Sequence, residues 1–272
     1  MLPPDITSGT PSLVATSVRP ETRDALMESD MPTISVVIPA FNEAKNLPYV
    51  FASLPKDIFE VILVDGHSTD NTVAVARSLY PSVRVIYQTR RGKGNALACG
   101  FAACRGDIIV MLDADGSADG AEIPRFVAAL RQGADFAKGS RFRRGGGSAD
   151  LTPMRRLGNW GLNLAVNILY GTRYTDVNYG YWAFWAHCLP YMNIDCDGFE
   201  VEPLVIIRVA RARLRVIEVP SFEAARIHGV SNLNTWRDGW RVLKTILKER
   251  VTLAVHQPLG NRSKPTLSSR TH

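Results

Sequence analysis

The chain has 272 residues, 46% of them hydrophobic and 21% charged, with a formal net charge of +6. That length buries one large core and favours a single elaborated domain over two small ones, and no apolar run approaches the roughly 20 residues a helix needs to span a bilayer. The positive excess suits phosphate-bearing ligands or an anionic membrane surface; the absence of a recognised nucleic-acid motif, and of aromatic residues interleaved with the charge, argues against nucleic acid.

Residues 1–30 mix Pro, Thr, Ser and acids without periodicity, show no basic-then-apolar signal pattern and are expected to form a disordered leader; residues 257–272 are expected to form a disordered tail. Between them lie the main predicted domain over 31–233 and a predicted amphipathic helix over 234–256. Four cysteines show no CxxC pair, which points to reduced thiols in a cytoplasmic setting. The β-branched run from Thr33 to Ile38, stopped by Pro39, predicts a buried strand, and a helix follows from about Ala44 to Leu54. Val61 to Val64 predicts a second strand ending at Asp65-Gly66, with Ser68 or Thr69 as cap of the next helix. Val83 to Tyr87 is a third strand, followed by a glycine-bearing loop and a helix through Cys104. Asp107 to Leu112 is a fourth, delivering Asp113 and Asp115 at its end.

Strands alternating with helices imply a mostly parallel central sheet flanked by helices, built from right-handed crossovers. Ligands in such sheets bind outside the carboxyl ends of the strands. Polar residues recur there: Asn42 and Glu43, then Asp65, then Asp113 and Asp115. Two carboxylates one residue apart suit Mg²⁺ or Mn²⁺, which take one or two protein carboxylates and fill the remaining positions with water and phosphate oxygens. No G-x-G-x-x-G follows the first strand, against a Rossmann dehydrogenase, and no glycine-rich basic loop, against a nucleotidyltransferase.

The motif order resembles the family-2 glycosyltransferases of the GT-A fold, in particular their polyprenyl- and dolichyl-phosphate sugar transferase branch. The motifs are Val36-Val37-Ile38-Pro39-Ala40-Phe41-Asn42-Glu43, Val64-Asp65-Gly66-His67-Ser68-Thr69-Asp70, Gly92-Lys93-Gly94-Asn95-Ala96-Leu97, Leu112-Asp113-Ala114-Asp115, Lys138-Gly139-Ser140-Arg141-Phe142 and Arg226-Ile227-His228-Gly229-Val230-Ser231. The resemblance covers about residues 33–233 and implies an inverting transfer of a hexose from a GDP- or UDP-sugar, with Mg²⁺ or Mn²⁺. It implies that Pro39, Phe41 and Glu43 line the base and ribose pocket and that Asp65 accepts hydrogen bonds from base or ribose. Lys93 is expected to face the diphosphate, Asp113 the ribose or metal, and Asp115 the metal; Arg226 is expected to close over the phosphates, with His228 beside it as a further metal ligand. Gly66-His67 stands where the second motif usually carries a second acid and a glycine, so the base stays open; Ser117 stands where the polyprenyl-phosphate branch often carries Gln, an extra metal ligand, and departs from that branch's pattern.

On the acceptor side the resemblance implies an acid as general base for a hydroxyl acceptor, with Glu202 ahead of Glu200 and Asp176 third. A polyprenyl phosphate would need no base, and both acceptors stay open. A non-catalytic nucleotide-sugar-binding protein is a further rival. Gly145-Gly146-Gly147-Ser148 is expected to be a flexible loop that orders with substrate. Trp236, Trp240, Leu243, Leu247 and Val251 recur at helical spacing, interleaved with Arg237, Arg241, Lys244 and Lys248. That stripe could pack on the domain, on a second subunit in a homo-oligomer, or lie at the inner face of a membrane as a peripheral contact.

Overall fold

The computed structural model describes residues 31–229 and 235–252; the expected leader and tail lie outside the described residues. The first strand, β1 (Ile34–Ala40), is an interior strand, third in order across a seven-stranded sheet. It pairs in parallel with β2 (Glu60–Asp65) on one side and β4 (Ile108–Met111) on the other, and β3 (Arg84–Tyr87) extends the sheet beyond β2. Past β4 comes β7 (Trp182–Trp185), antiparallel to both its neighbours, then β5 (Phe136–Ser140) and the edge strand β8 (Val216–Pro220), parallel to β5. The sheet is therefore mostly parallel, as expected, with one reversed strand.

Side chains on a strand alternate between faces, and both faces are covered over β1, β2 and β4, so these strands read as nearly continuous apolar runs. Val36 and Ile38 of β1, Val61 and Leu63 of β2, and Ile108 and Val110 of β4 belong to one core. Helix α1 (Leu47–Ser53) and α4 (Ile123–Arg131) close it with Leu47, Phe51, Phe126 and Leu130, and α2 (Thr72–Leu79) adds Ala76. Val37, Ile62, Ile109 and Met111 point the other way. They meet α3 (Lys93–Ala103), α5 (Pro153–Tyr170), α7 (Val201–Arg211) and α8 (Thr235–Thr252) through Leu97, Val166, Val205 and Ile246. A short helix, α6 (Leu189–Met192), precedes α7.

Two expectations are corrected and a third is narrowed. The helix after β2 is held at its start by Asp70, whose Oδ1 accepts from Thr72 N at 2.9 Å, while Ser68 Oγ instead accepts from Asn42 N at 2.9 Å. The glycine stretch is not a free loop. Gly147–Ser148 forms β6, paired in parallel with β9 (Phe222–Glu223), and Gly147 N donates to Ser221 O at 3.1 Å. In α8 the packed face is Asp238, Val242, Ile246 and Glu249, whereas Trp240, Leu247 and Val251 are exposed, so the predicted apolar stripe looks outward. The side chain of Trp236 lies outside the described residues.

Close packing of α3 on the sheet depends on Gly100. A Cβ there would lie 2.4 Å from Val37 Cγ1 and 2.8 Å from Val64 Cγ2. Gly100→Ala is expected to cost about 1–3 kcal/mol in urea unfolding, because neither branched side chain can move without displacing its strand.

Candidate active site

The carboxyl ends of β1, β2 and β4 are tied together by their own polar residues. Asn42 takes a left-handed conformation at φ 58°, which Asn tolerates better than most residues. Its Oδ1 accepts from Thr69 N at 2.8 Å, and Glu43 N donates to Thr72 Oγ1 at 2.9 Å. The two strand-end loops thus form one wall. Asp65 is buried there; Oδ2 accepts from Ser68 N at 3.0 Å, while Oδ1 is buried with no partner. A cleft of about 470 Å³ opens beside it, lined also by His67, Arg77 and Tyr87. The His67 ring stacks on Tyr87 at 5.8 Å, and its Nε2 lies 3.0 Å from Gln88 O. An unpartnered carboxylate oxygen in a site of this shape is an acceptor waiting for a donor.

Lys93 begins α3 between two glycines, and the backbone shows why both are needed. A Cβ on Gly92 would lie 2.1 Å from Asp197 O, and one on Gly94 2.5 Å from Cys196 O. The 196–198 segment therefore lies directly on the start of α3, with Gly94 N donating to Asp197 O at 2.9 Å. This contact brings α7 close to the strand ends. Lys93 Nζ then sits 2.7 Å from Asp113 Oδ1 and 2.8 Å from Glu202 Oε1. Burial opposes the Lys93 ammonium, yet the two carboxylates outweigh it and hold its pKa above the usual lysine range. Burial raises the Asp113 carboxyl and Asp115 beside it adds to the effect, with Lys93 pulling the other way; Glu202 is likewise raised by burial.

Arg226 forms a second bridge. Its Nη1 donates to Glu43 Oε1 at 2.9 Å and its Nη2 lies 3.0 Å from Asp115 Oδ2, while Asp115 Oδ1 accepts from Ser117 N at 2.9 Å. Ala224 N donates to Ser117 O at 2.8 Å, and Ile227 packs over Gly116. The segment around Arg226 thus lies across the Asp113–Ser117 turn. Four carboxylates (Glu43, Asp113, Asp115, Glu202) face two cations, leaving two negative charges. Asp113 and Asp115 supply hard oxygens at the point of excess, so the donor set fits one Mg²⁺ or Mn²⁺ with phosphate and water completing its coordination.

The remaining predicted residues are placed less favourably. Pro39 lies within β1 opposite Val64, and Phe41 projects half-exposed beyond the strand. Asp176 is fully buried and bidentate to Arg141, at 2.7 and 2.9 Å, with Asn159 Nδ2 at 3.3 Å. As a candidate base it is corrected: the carboxylate anchors the loop after β5. Glu200 Oε1 accepts from Gly198 N at 3.3 Å, and Oε2 lies 3.7 Å from Arg241, so it holds the turn before α7 to α8. His228 is also corrected. Its backbone N donates to Asn46 Oδ1 at 3.0 Å and its exposed ring lies 5.9 Å from that of Tyr49. Among the described residues no three His, Cys, Asp or Glu side chains are grouped to hold a metal, so His228 does not complete a set with Asp113 and Asp115.

A model of the family described as "Glycosyl transferase family 2" matches residues 35–188. The chain belongs to glycosyl transferase family 2. It is 33% identical over 215 residues to undecaprenyl-phosphate mannosyltransferase of Micrococcus luteus, covering 74% of this chain and 87% of that protein. Dolichol-phosphate mannosyltransferase of Pyrococcus furiosus is 30% identical over 211 residues, covering 74% of this chain and 59% of that protein. Among solved structures, glucosyl-3-phosphoglycerate synthase from Mycobacterium tuberculosis, in complex with Mn²⁺, UDP and glucosyl-3-phosphoglycerate, superposes with a TM-score of 0.65 at 25% identity, covering 92% of this chain and 88% of that one. The fold of this glycosyltransferase is GT-A.

Several residues of the candidate site, and of the buried charge cluster around Asp176, carry no sequence signal. Tyr87 reads as a strand end and His67 as a departure from a motif, yet both line the cleft with Asp65. Glu218 and Glu223 surround Lys138 and Arg141: Arg141 Nη1 donates to Glu223 Oε2 at 3.1 Å, and Lys138 Nζ lies 3.8 Å from Glu218 Oε1. A lysine inside a fully buried strand was the available hint, since such a charge persists only when paired. For Asp176 burial favours the neutral acid, but Arg141 and Lys138 outweigh it and hold the folded-state pKa below the usual value. Its stabilisation is therefore complete above the unfolded-state pKa of about 4 and is lost as pH falls through the depressed folded value. Acid titration of Asp176→Asn, followed by circular dichroism, is expected to show a shallower loss of stability below about pH 4 than the parent chain.

Proposed function

We propose that this enzyme transfers a hexose, with inversion, from a UDP- or GDP-sugar to an acceptor that attacks through a phosphate oxygen, with a polyprenyl phosphate as first choice. One observation carries the reading: each of the three candidate acids is already engaged by a group of this chain, with Glu200 Oε2 the one buried oxygen among them that lacks a hydrogen-bond partner. Glu202 is occupied by Lys93, Glu200 by the Gly198 turn and Asp176 by Arg141. A sugar hydroxyl must lose its proton as it attacks, whereas a phosphate oxygen arrives as an anion. The likeness to two polyprenyl-phosphate mannosyltransferases supports the same choice. It also goes with a peripheral enzyme working at the cytoplasmic face of a membrane.

In this reading Asp65 Oδ1 receives an N–H of the nucleobase, with the His67–Tyr87 stack alongside. Asp113 and Asp115 hold Mg²⁺ or Mn²⁺, which when bound supplies Lewis-acid stabilisation to the departing diphosphate. Lys93 keeps Asp113 oriented, and Arg226 leaves Asp115 to meet phosphate oxygens, for which its planar fork is suited.

A second reading, transfer to a hydroxyl of a small phosphorylated acid, is favoured by the likeness to a structure solved with UDP-glucose and phosphoglyceric acid. Transfer assays with UDP- and GDP-sugars, Mn²⁺, and either a polyprenyl phosphate or soluble hydroxyl acceptors separate the two. Sugar appearing only on hydroxyl compounds would sink the first reading, and unchanged transfer in EDTA would sink the metal assignment.

A further inference from the structure

The outward faces of α5 and α8 are a feature that donor and acceptor chemistry leave unexplained. Helix α5 is well delimited: Thr152 Oγ1 accepts from Arg155 N, Pro153 opens the first turn, and Gly171 closes it at φ 66°. Its inner face buries Asn159, Asn163 and Val166. Leu157, Trp160, Leu164 and Ile168 recur at helical spacing on the opposite face and are 62, 61, 42 and 71% exposed. Helix α8 repeats the pattern, burying Val242 and Ile246 and exposing Trp240, Leu247 and Val251 at 59, 50 and 75%. The two helices are neighbours, with Tyr170 Oη donating to Ile246 O at 2.6 Å. Both cover the same face of the sheet, so their apolar stripes look out on the same side of the molecule.

We propose that α5 and α8 together form a docking face for an anionic lipid surface. The charge decides the partner. Both acids of α8, Asp238 and Glu249, are buried, and Glu249 is held at 2.7 Å by each of Arg208 and Arg211. The exposed charges of the described helix, Arg237, Arg241, Lys244, Lys248 and Arg250, are all cationic, and α5 carries two arginines and no acid. A second copy related by two-fold symmetry would bring this cationic face against itself. A bilayer with anionic headgroups meets it with opposite charge and accepts the apolar side chains at acyl depth. Tryptophans favour that interfacial depth, and Lys244 Nζ lies 5.5 Å from the Trp240 ring centre, a cation beside an aromatic at one level. This face goes beyond the acceptor reading and stands whichever acceptor is used.

The test is co-sedimentation of the full chain with phosphatidylcholine vesicles, with and without phosphatidylglycerol and without donor or acceptor. Binding is expected only to the anionic vesicles and should weaken as salt rises. Trp160→Ser with Ile168→Ser, and separately Trp240→Ser with Val251→Ser, should each lower it by at least about ten-fold. Lys244→Gln with Lys248→Gln should lower it by about five-fold per charge. All three variants should keep the parent melting temperature, since the residues touch no core. Binding indifferent to lipid charge would overturn the proposal, as would binding that the α5 pair leaves unchanged. A concentration-dependent dimer in ultracentrifugation that the α5 pair abolishes, with vesicles left unbound, would assign the face to a second copy instead. Because the vesicles hold no acceptor, failure of the transfer assay leaves this result standing.

Discussion

Asp115→Asn is expected to reduce metal-dependent sugar transfer by about 10³-fold while shifting the melting temperature by no more than about 2–4 °C. The amide keeps the acceptor for Ser117 N but removes the charge that a divalent cation needs. Stabilising a departing diphosphate is worth several kcal/mol, and each 1.36 kcal/mol is a factor of ten in rate. The stability effect is small because the Arg226–Asp115 pair is partly open to solvent, at 22 and 19% side-chain exposure, and such pairs contribute little. Release of free nucleotide, measured across a Mn²⁺ titration, gives the readout. A shift of the titration to higher Mn²⁺ places the defect in ion binding. Undiminished turnover with EDTA present would show that Asp115 holds no ion.

Lys93→Met should have the largest effect on stability, about 3–5 kcal/mol in urea unfolding, because it leaves Asp113 and Glu202 without the cation between them. Against a total of about 5–15 kcal/mol for a domain, that is a substantial fraction. Adding Glu202→Gln to Lys93→Met is expected to restore more than half of the loss, since the amide needs no counter-charge. The double variant should nevertheless bind donor weakly, because Asp113 remains uncompensated at the place the proposed function gives the diphosphate. A Lys93→Met chain as stable as its parent, or no coupling between the two positions, would mean that Lys93 does not bridge these acids in solution.

Much of this site was legible in advance because its signals are local. A strand buried on both faces must be apolar throughout, so β1, β2 and β4 stand out, and acids such as Asp65, Asp113 and Asp115 at their ends cannot be core residues. The acceptor half was not legible for the same reason in reverse. Glu202, Glu200 and Asp176 look alike as acids near predicted elements. Their availability depends on partners elsewhere in the chain: Lys93, the Gly198 turn with Arg241, and Arg141. Glycines flanking Lys93 hinted at a close backbone approach without saying which backbone. The reversed strand β7 and the pairing of β6 with β9 likewise leave no periodic mark, since a two-residue strand has no period to read.

The chain by itself determined the alternation of strands and helices, the acids at the strand ends and the amphipathic character of α8. Side-chain periodicity follows from backbone geometry, and backbone geometry is settled by neighbours in sequence. Only the tertiary structure decided which acids are spent on ion pairs, that Arg226 bridges Glu43 across 183 residues, and which stripe of α5 and α8 faces outward. Those outcomes depend on what packs against each surface, and ion pairing and burial are properties of the assembled layers.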